Sequence, residues 1–255
     1  GKDGMEVPDL GEFAAKDWPS PEKGFAAMMQ AIDRSVGTLL AKLTDLGIGD
    51  DTLVIFSSDN GPHQEGGHQM TFFDSNGPLQ GKKRDLYEGG IRVPMIARWP
   101  GIIAAGSESA HISAFQDVFP TLAELAGLPP PTGPQPIDGT SLVPVLRDPT
   151  ARVRDHAYHA YPRGNRMGRA IRTERYRMVE WKPIGAPADA AEFELYDYQD
   201  DPLETRNLAD ARPEVLAELR TILARHPEAR RPDSGPARIS SPVGRNVSTG
   251  TAPVQ

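Results

Sequence analysis

The chain has 255 residues, a formal net charge of −7 at pH 7, 38% hydrophobic residues and no cysteine. A chain of this length can bury a large core in one or two domains. The acidic balance argues against a nucleic-acid-binding protein, because such proteins carry a basic stripe. No apolar run approaches the roughly 20 residues of a membrane span. Without cysteine, the chain carries no disulfide, thiolate metal ligand or cysteine nucleophile.

A helix followed by a buried strand is predicted for the first sixty residues, after a proline-containing loop. Ser20 is a suitable N-cap, Pro21 a suitable first helical residue and Gly47 a suitable C′ residue. Apolar side chains recur between them at i, i+3 and i+4. Residues 52–56 (TLVIF) are typical of a strand buried on both faces, as in a parallel sheet covered by helices. Helix then strand is half of a βαβ unit.

A turn-like segment with three polar side chains follows this predicted strand. Its order is Asp59, Asn60, Gly61, Pro62, His63. Asp-Asn-Gly-Pro is turn chemistry, and an Asx-turn that only closes the strand is one interpretation. In open α/β sheets, however, ligands bind beyond the carboxyl ends of the strands. Asp59, Asn60 and His63 are therefore candidate site residues.

The middle of the chain combines a long loop with a basic cluster. Residues 63–81 show no clean period, and loops longer than about 12–15 residues in a compact domain are usually functional or disordered. The cluster Lys82, Lys83 and Arg84 comes next, shortly before a second predicted buried strand at 93–99. A solvated charge run is the alternative interpretation of this cluster. A second helix is predicted to begin near Ser113 or Asp117 and to end before Gly127.

The composition changes near residue 150. Residues 169–181 and 192–198 alternate as strands do, which predicts an antiparallel hairpin, and 213–226 form an amphipathic pattern. We therefore predict an α/β fold, part of a mostly parallel sheet flanked by helices, followed by a small antiparallel α+β subdomain. The expected units are residues 1–150, residues 151–228 and a disordered tail at 229–255, which is rich in Pro, Ser, Gly and Arg.

The candidate residues suit the cleavage of a sulfate or phosphate ester. Asp59 and Asn60 supply hard oxygen ligands for Ca²⁺ or Mg²⁺, although Ca²⁺ takes about six to eight oxygens and needs further ligands. Cations such as Lys83 can neutralise an oxyanion. His63 and His68 could each donate a proton to a leaving group.

Several stretches together resemble the type I sulfatases of the alkaline phosphatase superfamily. The two most specific are residues 58–61 (SDNG) and 81–94 (GKKRDLYEGGIRVP). Three more look similar to the same family: residues 117–127 (DVFPTLAELAG), 138–142 (DGTSL), and 194–197 (ELYD) with 201–208 (DPLETRNL).

The resemblance implies roles for particular residues. The Asp-Asn pair binds Ca²⁺ in sulfatases, so Asp59 and Asn60 are the matching ligands, with Mg²⁺ the less favoured ion. The lysine that stands before Tyr-Glu-Gly-Gly contacts the sulfate group and falls on Lys83, with Lys82 one residue away. His63 is proposed as a substrate contact or leaving-group acid, and His68 as a further substrate-binding candidate. A plain loop histidine is the alternative for both.

The chain also departs from the family. Sulfatases use a formylglycine made from Cys or Ser in a Cys/Ser-x-Pro-x-Arg motif, and no stretch before residue 58 fits that motif. The resemblance thus implies the C-terminal part of a sulfatase that acts on a sulfated small molecule or glycan, with the formylglycine in a missing N-terminal half. This chain alone is expected to be inactive. No signal peptide is visible at residue 1, and a periplasmic or secreted parent is expected by family analogy.

Two alternatives remain at this point. One is a phosphate or phosphonate ester hydrolase of the same superfamily, which would share the metal site at the strand ends. The other is a non-catalytic module that keeps the Ca²⁺ ligands and binds sulfated glycans.

Overall fold

The computed structural model describes residues 4–133 and 137–228. The predicted disordered tail, 229–255, lies outside the described residues. The helices and strands are, in chain order, α1 (Ser20–Asp45), β1 (Val54–Ser57), α2 (Glu88–Ile91), β2 (Met95–Arg98), α3 (Val118–Leu125), α4 (Val143–Arg147), β3 (His156–Arg163), β4 (Arg166–Thr173), β5 (Tyr176–Pro183), β6 (Glu192–Asp197) and α5 (Pro213–Leu223).

The α/β class is confirmed, but the pairing of β1 differs from the prediction. β1 pairs antiparallel with β2, from Val54 opposite Arg98 to Ser57 opposite Met95, and no parallel pair occurs within the described ranges. β1 is not buried on both faces either, because Phe56 is 39% exposed. An apolar run predicts a strand wherever it lies, whereas the direction of pairing depends on a partner about forty residues further on.

The C-terminal sheet has four strands in the order β3-β4-β5-β6, all antiparallel. The antiparallel prediction is confirmed, but the single strand predicted at 169–181 is wrong, since the chain turns between Thr173 and Tyr176. That turn carries no Gly, Pro or Asn. It is closed by Thr173, whose Oγ1 accepts a hydrogen bond of 2.9 Å from the backbone N–H of Tyr176. β3 was not predicted, because its Ala and Tyr residues do not alternate with polar ones.

Successive side chains of this sheet point to opposite faces, which gives the C-terminal region two cores. On one face, Ile171 and Met178 pack with Leu219 and Leu223 of α5. On the other face, Ala170, Val179 and Trp181 pack with Leu86, which lies just before α2. The sheet therefore holds α5 on one side and the segment that carries the basic cluster on the other.

The helices around β1 and β2 leave apolar side chains in solvent. Only the first turns of α1 are buried, whereas Met29 and Leu39 further along are 48% and 66% exposed. Phe119 and Leu122 of α3 are 58% and 50% exposed. The apolar stripes predicted for these helices exist, but much of their surface has no covering layer in the described part of the chain. None of the helices described is long and apolar enough to cross a membrane.

Candidate active site

The Asp59–Asn60 turn directly follows β1. Asn60 Nδ2 donates a hydrogen bond to Asp59 Oδ1, and Ser58 Oγ donates to the Asn60 carbonyl oxygen at 2.9 Å. Asp59 is exposed and Asn60 is half-buried. The amide–carboxylate bond leaves Asn60 Oδ1 and Asp59 Oδ2 as two neighbouring oxygen atoms that could face a cation.

Gly61 brings this turn against α2. Its backbone N–H donates a hydrogen bond of 2.9 Å to the carbonyl oxygen of Gly90. A Cβ atom at Gly61 would lie 1.8 Å from the carbonyl oxygen of Gly89, a separation that no real contact permits. Gly61 is thus required by its close approach to α2. Gly89 and Gly90 are required by a second close approach, because their Cβ atoms would lie 2.3 Å from the carbonyl oxygens of Gly81 and Asp85.

The basic cluster lies beside the same turn. The backbone N–H of Lys83 donates a hydrogen bond of 2.8 Å to the carbonyl oxygen of Pro62. Lys82 Nζ donates to Gln64 Oε1. Arg84 adopts a positive φ of 78°, an uncommon conformation for a residue other than glycine. Residues 62–65 and 82–84 are therefore held face to face.

Glu65 bridges two cations of this cluster. Lys83 Nζ lies 3.2 Å from Glu65 Oε2, and Arg84 Nη2 donates to Glu65 Oε1. These hydrogen bonds, first that of Lys83 and then that of Arg84, lower the pKa of the Glu65 carboxyl group. A carboxylate held between two cations marks a position that suits an oxyanion.

His63 lies at the edge of the same cluster. Its Nδ1 accepts a hydrogen bond of 3.1 Å from the backbone N–H of Glu65. Since a backbone N–H can only donate, the neutral ring must carry its proton on Nε2. Partial burial lowers the pKa of His63, and His68 and Lys83 lower it further, whereas Glu65 raises it. His63 is therefore a neutral N–H donor at pH 7.

His68 lies in the interior and not on the surface of the site. It is fully buried, and its Nδ1 lies 2.6 Å from Oε2 of Glu22, which is 1% exposed. The ring stacks on Phe25 with a centroid separation of 3.9 Å. The His63 and His68 ring centroids are 5.7 Å apart. His68 Nε2 has no hydrogen-bond partner among the described residues. His68 is therefore shielded from solvent in the described part of the chain.

A buried ion network ties α2 to the C-terminal sheet. Arg177 of β5 is fully buried and donates from Nη2 to Glu88 Oε1 and from Nε to Tyr198 Oη at 2.7 Å. Glu204 Oε2 accepts a hydrogen bond of 2.9 Å from the backbone N–H of Glu88. Arg172 Nε donates to Glu88 Oε1 at 3.0 Å.

The two carboxylates of this network differ in their arginine partners. Burial would raise the pKa of Glu88, but Arg177 and Arg172 together outweigh it and lower that pKa. Burial raises the pKa of Glu204, because Arg177 alone does not compensate it. Arg92 pairs with Glu88 at 3.4 Å while its side chain remains 66% exposed.

The Asp59 and Asn60 side-chain oxygens are of the kind that binds Ca²⁺, but two oxygens are too few to complete its coordination shell. Both are hard donors, which Ca²⁺ and Mg²⁺ prefer. However, no group of three or more His, Cys, Asp or Glu side chains in residues 4–133 and 137–228 could hold a metal. The turn can therefore supply one side of a coordination shell, and the remaining oxygens must come from elsewhere.

Comparison with protein families decides the membership of this chain. The Sulfatase family model matches residues 17–128, and the model for the C-terminal part of N-sulphoglucosamine sulphohydrolase matches residues 80–228. Human arylsulfatase A is 35% identical over 231 residues, which cover 82% of this chain and 44% of that protein. This chain belongs to the type I sulfatase family.

Solved structures agree with this assignment. BT4656 in complex with its substrate D-glucosamine-2-N,6-O-disulfate is 29% identical with a TM-score of 0.64, and the match covers 81% of this sulfatase chain and 40% of that chain. Ps i-CgsB in complex with k-i-k-neocarrahexaose is 26% identical with a TM-score of 0.69, over 87% and 47% of the two chains. This sulfatase chain thus spans less than half the length of each of these relatives.

Two residues of the site were not predicted from the sequence. Glu22 reads there only as an acidic residue in the first turn of a helix, yet it is the buried partner of His68. Glu65 lies in the irregular loop and belongs to no sequence motif. In the structure its carboxylate forms ion pairs with Lys83 and Arg84 of the basic cluster. Both roles depend on contacts between segments that are distant in sequence.

Proposed function

We propose that this sulfatase chain supplies one face of an active site that hydrolyses a sulfate ester of a small molecule or glycan. The observation that carries the proposal is the joint between the Asp59–Asn60 turn and the basic cluster. Pro62 lies three residues after Asp59, and its carbonyl oxygen accepts a hydrogen bond of 2.8 Å from the backbone N–H of Lys83. A candidate metal turn and a candidate oxyanion-binding lysine are therefore fixed to one another.

Asp59 and Asn60 would provide two oxygen ligands of the family's Ca²⁺ ion, which when bound would offset the negative charge of the sulfate oxygens. Lys83 would donate to a sulfate oxygen after giving up its contact with Glu65. The side chains of Lys83 and Glu65 are 32% and 45% exposed, and an exposed ion pair of this kind contributes little stability. The sulfate group could therefore replace Glu65 at small cost.

His63 would donate a hydrogen bond from its Nε2–H to the ester or leaving-group oxygen. The hydrogen bond from Glu65 N–H to His63 Nδ1 fixes that tautomer. His68, paired with Glu22 and stacked on Phe25, would support the position of His63 as a neighbouring ring. In this proposal His63 contacts the substrate and His68 is a positioning residue.

The nucleophile would come from polypeptide outside residues 1–228. That part of the chain contains no cysteine and no Cys/Ser-x-Pro-x-Arg motif from which a formylglycine could form. The exposed apolar surface of α1, α3 and the β1–β2 sheet supports this proposal, because it is the kind of surface that a further layer of a domain covers.

The phosphate or phosphonate ester hydrolase is not favoured, since both matching family models are those of sulfatases. The non-catalytic glycan-binding module remains a second candidate because the chain carries no cysteine nucleophile.

Hydrolysis of p-nitrophenyl sulfate with Ca²⁺ tests the proposed division of the active site. The chain by itself should show no turnover above that of Asp59→Ala. A robust rate in this chain that Asp59→Ala abolishes would overturn the proposal that the nucleophile lies elsewhere. For the binding module, glycan binding by the natural full-length protein without any hydrolysis would be decisive.

A further inference from the structure

A cavity of about 380 Å³ opens between the β3–β4 turn, the end of β5 and the start of β6. Its volume lies within the range of about 300–1,000 Å³ that small-molecule sites occupy. Two arginines, one tryptophan and two carboxylates contribute to its lining: Arg163, Arg166, Trp181, Glu192 and Glu194. None of these residues belongs to the site described above.

The cavity adjoins the loop that carries Lys83. Arg163 Nη2 lies 3.8 Å from Asp85 Oδ1, and Asp85 Oδ2 accepts a hydrogen bond of 3.1 Å from the backbone N–H of Lys82. Trp181 and Leu86 share one core cluster. One wall of the cavity is therefore continuous with the segment immediately after the basic cluster.

The two arginines are available to an anion. Arg163 is 63% exposed and meets Asp85 only at 3.8 Å. Arg166 is 33% exposed and pairs at 2.8 Å with Glu192, which is itself 76% exposed. Exposed pairs of this kind are weak and easily exchanged. An acidic group of a ligand could replace Glu192 on Arg166 while it contacts Arg163.

The interior of the cavity suits a hydroxyl group and an apolar ring edge. Glu194 accepts hydrogen bonds from Trp181 Nε1 at 3.1 Å and from Tyr196 Oη at 3.4 Å. A carboxylate can accept about four hydrogen bonds, so Glu194 retains capacity for a sugar hydroxyl. Its negative charge keeps an anionic group at the arginine side of the cavity.

We propose that this cavity binds the sugar unit next to the sulfate ester held at Lys83, with a sulfate or carboxylate of that unit against Arg163 and Arg166 and a hydroxyl on Glu194. The substrate class is then an oligosaccharide that carries acidic groups on adjacent sugar units. The inference rests on the function proposed above for Lys83.

Calorimetric binding to the full chain in Ca²⁺ at fixed ionic strength tests the proposal. The probes are a disaccharide with one sulfate on each sugar and the matching monosulfated monosaccharide. Arg163→Gln with Arg166→Gln should weaken disaccharide binding at least about tenfold and leave monosaccharide binding unchanged. Arg163→Gln alone, at a 63% exposed side chain, should give a smaller loss without risk to folding. Arg147→Gln, which removes the same charge on α4, is the matched control and should change neither.

The outcomes separate this inference from the proposed function. Equal affinity of the wild type for the two probes, no measurable disaccharide binding, or an equal loss in Arg147→Gln would overturn the inference. Lys83→Ala should weaken both probes. If it changes neither while the arginine variants still lose the disaccharide, the cavity binds the glycan and the role proposed for Lys83 fails.

Discussion

The backbone N–H of Lys83 donates a hydrogen bond of 2.8 Å to the carbonyl oxygen of Pro62. Twenty-one positions separate the two residues in sequence, yet this bond and that between Gly61 and Gly90 hold the candidate metal turn against the candidate sulfate-binding loop. Both bonds join backbone atoms, so the arrangement depends on how closely the two backbone segments can approach each other. Gly61 permits this approach because it has no Cβ atom.

Gly61→Ala should therefore be strongly destabilising. The added Cβ would lie 1.8 Å from the Gly89 carbonyl oxygen, so one backbone segment must move. We expect a loss on the order of 2–4 kcal/mol in the free energy of unfolding, measured by urea denaturation.

The control for this change is Gly37→Ala, in the middle of α1. A Cβ at Gly37 meets nothing within 4 Å. Replacing an unhindered helical glycine by alanine should stabilise the protein by about 0.5–1 kcal/mol. Equal effects of the two substitutions would contradict the close approach at Gly61.

Glu65→Gln should strengthen the binding of inorganic sulfate several-fold. The Glu65 carboxylate is bonded to Lys83 and Arg84, so a sulfate ion must displace it, and a neutral amide competes less well. Calorimetric titration of sulfate provides the measurement. Glu214→Gln removes the same charge from an exposed side chain on α5 and should leave the affinity unchanged. Weaker sulfate binding in Glu65→Gln would show that the carboxylate does not occupy the anion position.

Arg177→Met should cost about 3–5 kcal/mol of the free energy of unfolding. It would leave Glu88 and Glu204 buried without their shared cation, and removing one partner of a buried pair is costly. Arg92→Met is the matched control, because Arg92 contacts the same Glu88 from an exposed position. Its loss should stay below about 1 kcal/mol. Similar losses for the two variants would argue against the burial of the network.

Stability should fall between pH 6.5 and pH 4 because of His159. Burial, aided by Arg177, lowers the pKa of His159 from 6.5 to about 4. In this window the unfolded chain binds a proton that the folded chain does not, so stability is full above pH 6.5 and declines as the pH falls. The contribution is on the order of 3 kcal/mol. Urea denaturation at several pH values should show a shallower decline in His159→Gln, and an unchanged slope would contradict this assignment.

The sequence predicted those candidate site residues that lie within short sequence motifs. Asp59 and Asn60 follow an apolar strand, which makes them candidates from the sequence pattern. Lys83 was distinguished within its basic cluster only by the resemblance to sulfatases. The pairing of Glu22 with His68 could not be predicted, because 46 positions separate them and neither residue belongs to a motif.

The fold was predicted to a similar extent. The period of the apolar side chains indicates the helices α1, α3 and α5 and the strands β1, β2 and β6. It does not reveal that β1 and β2 run antiparallel, nor that the chain turns after Thr173. Those features depend on tertiary partners and on a side-chain hydrogen bond. The unit boundaries near residue 150 and residue 228 stay predictions.

Binding of p-nitrophenyl sulfate to the chain in the presence of Ca²⁺, measured by calorimetry for Lys83→Ala and Lys82→Ala, tests the central claim most directly. Lys83 Nζ shares Glu65 with Arg84, whereas Lys82 Nζ contacts the neutral Gln64. Lys83→Ala should weaken binding at least about tenfold, as expected for the loss of a charged hydrogen bond, and Lys82→Ala should have little effect. Unchanged affinity in Lys83→Ala would contradict the assignment of this loop as the sulfate-binding face.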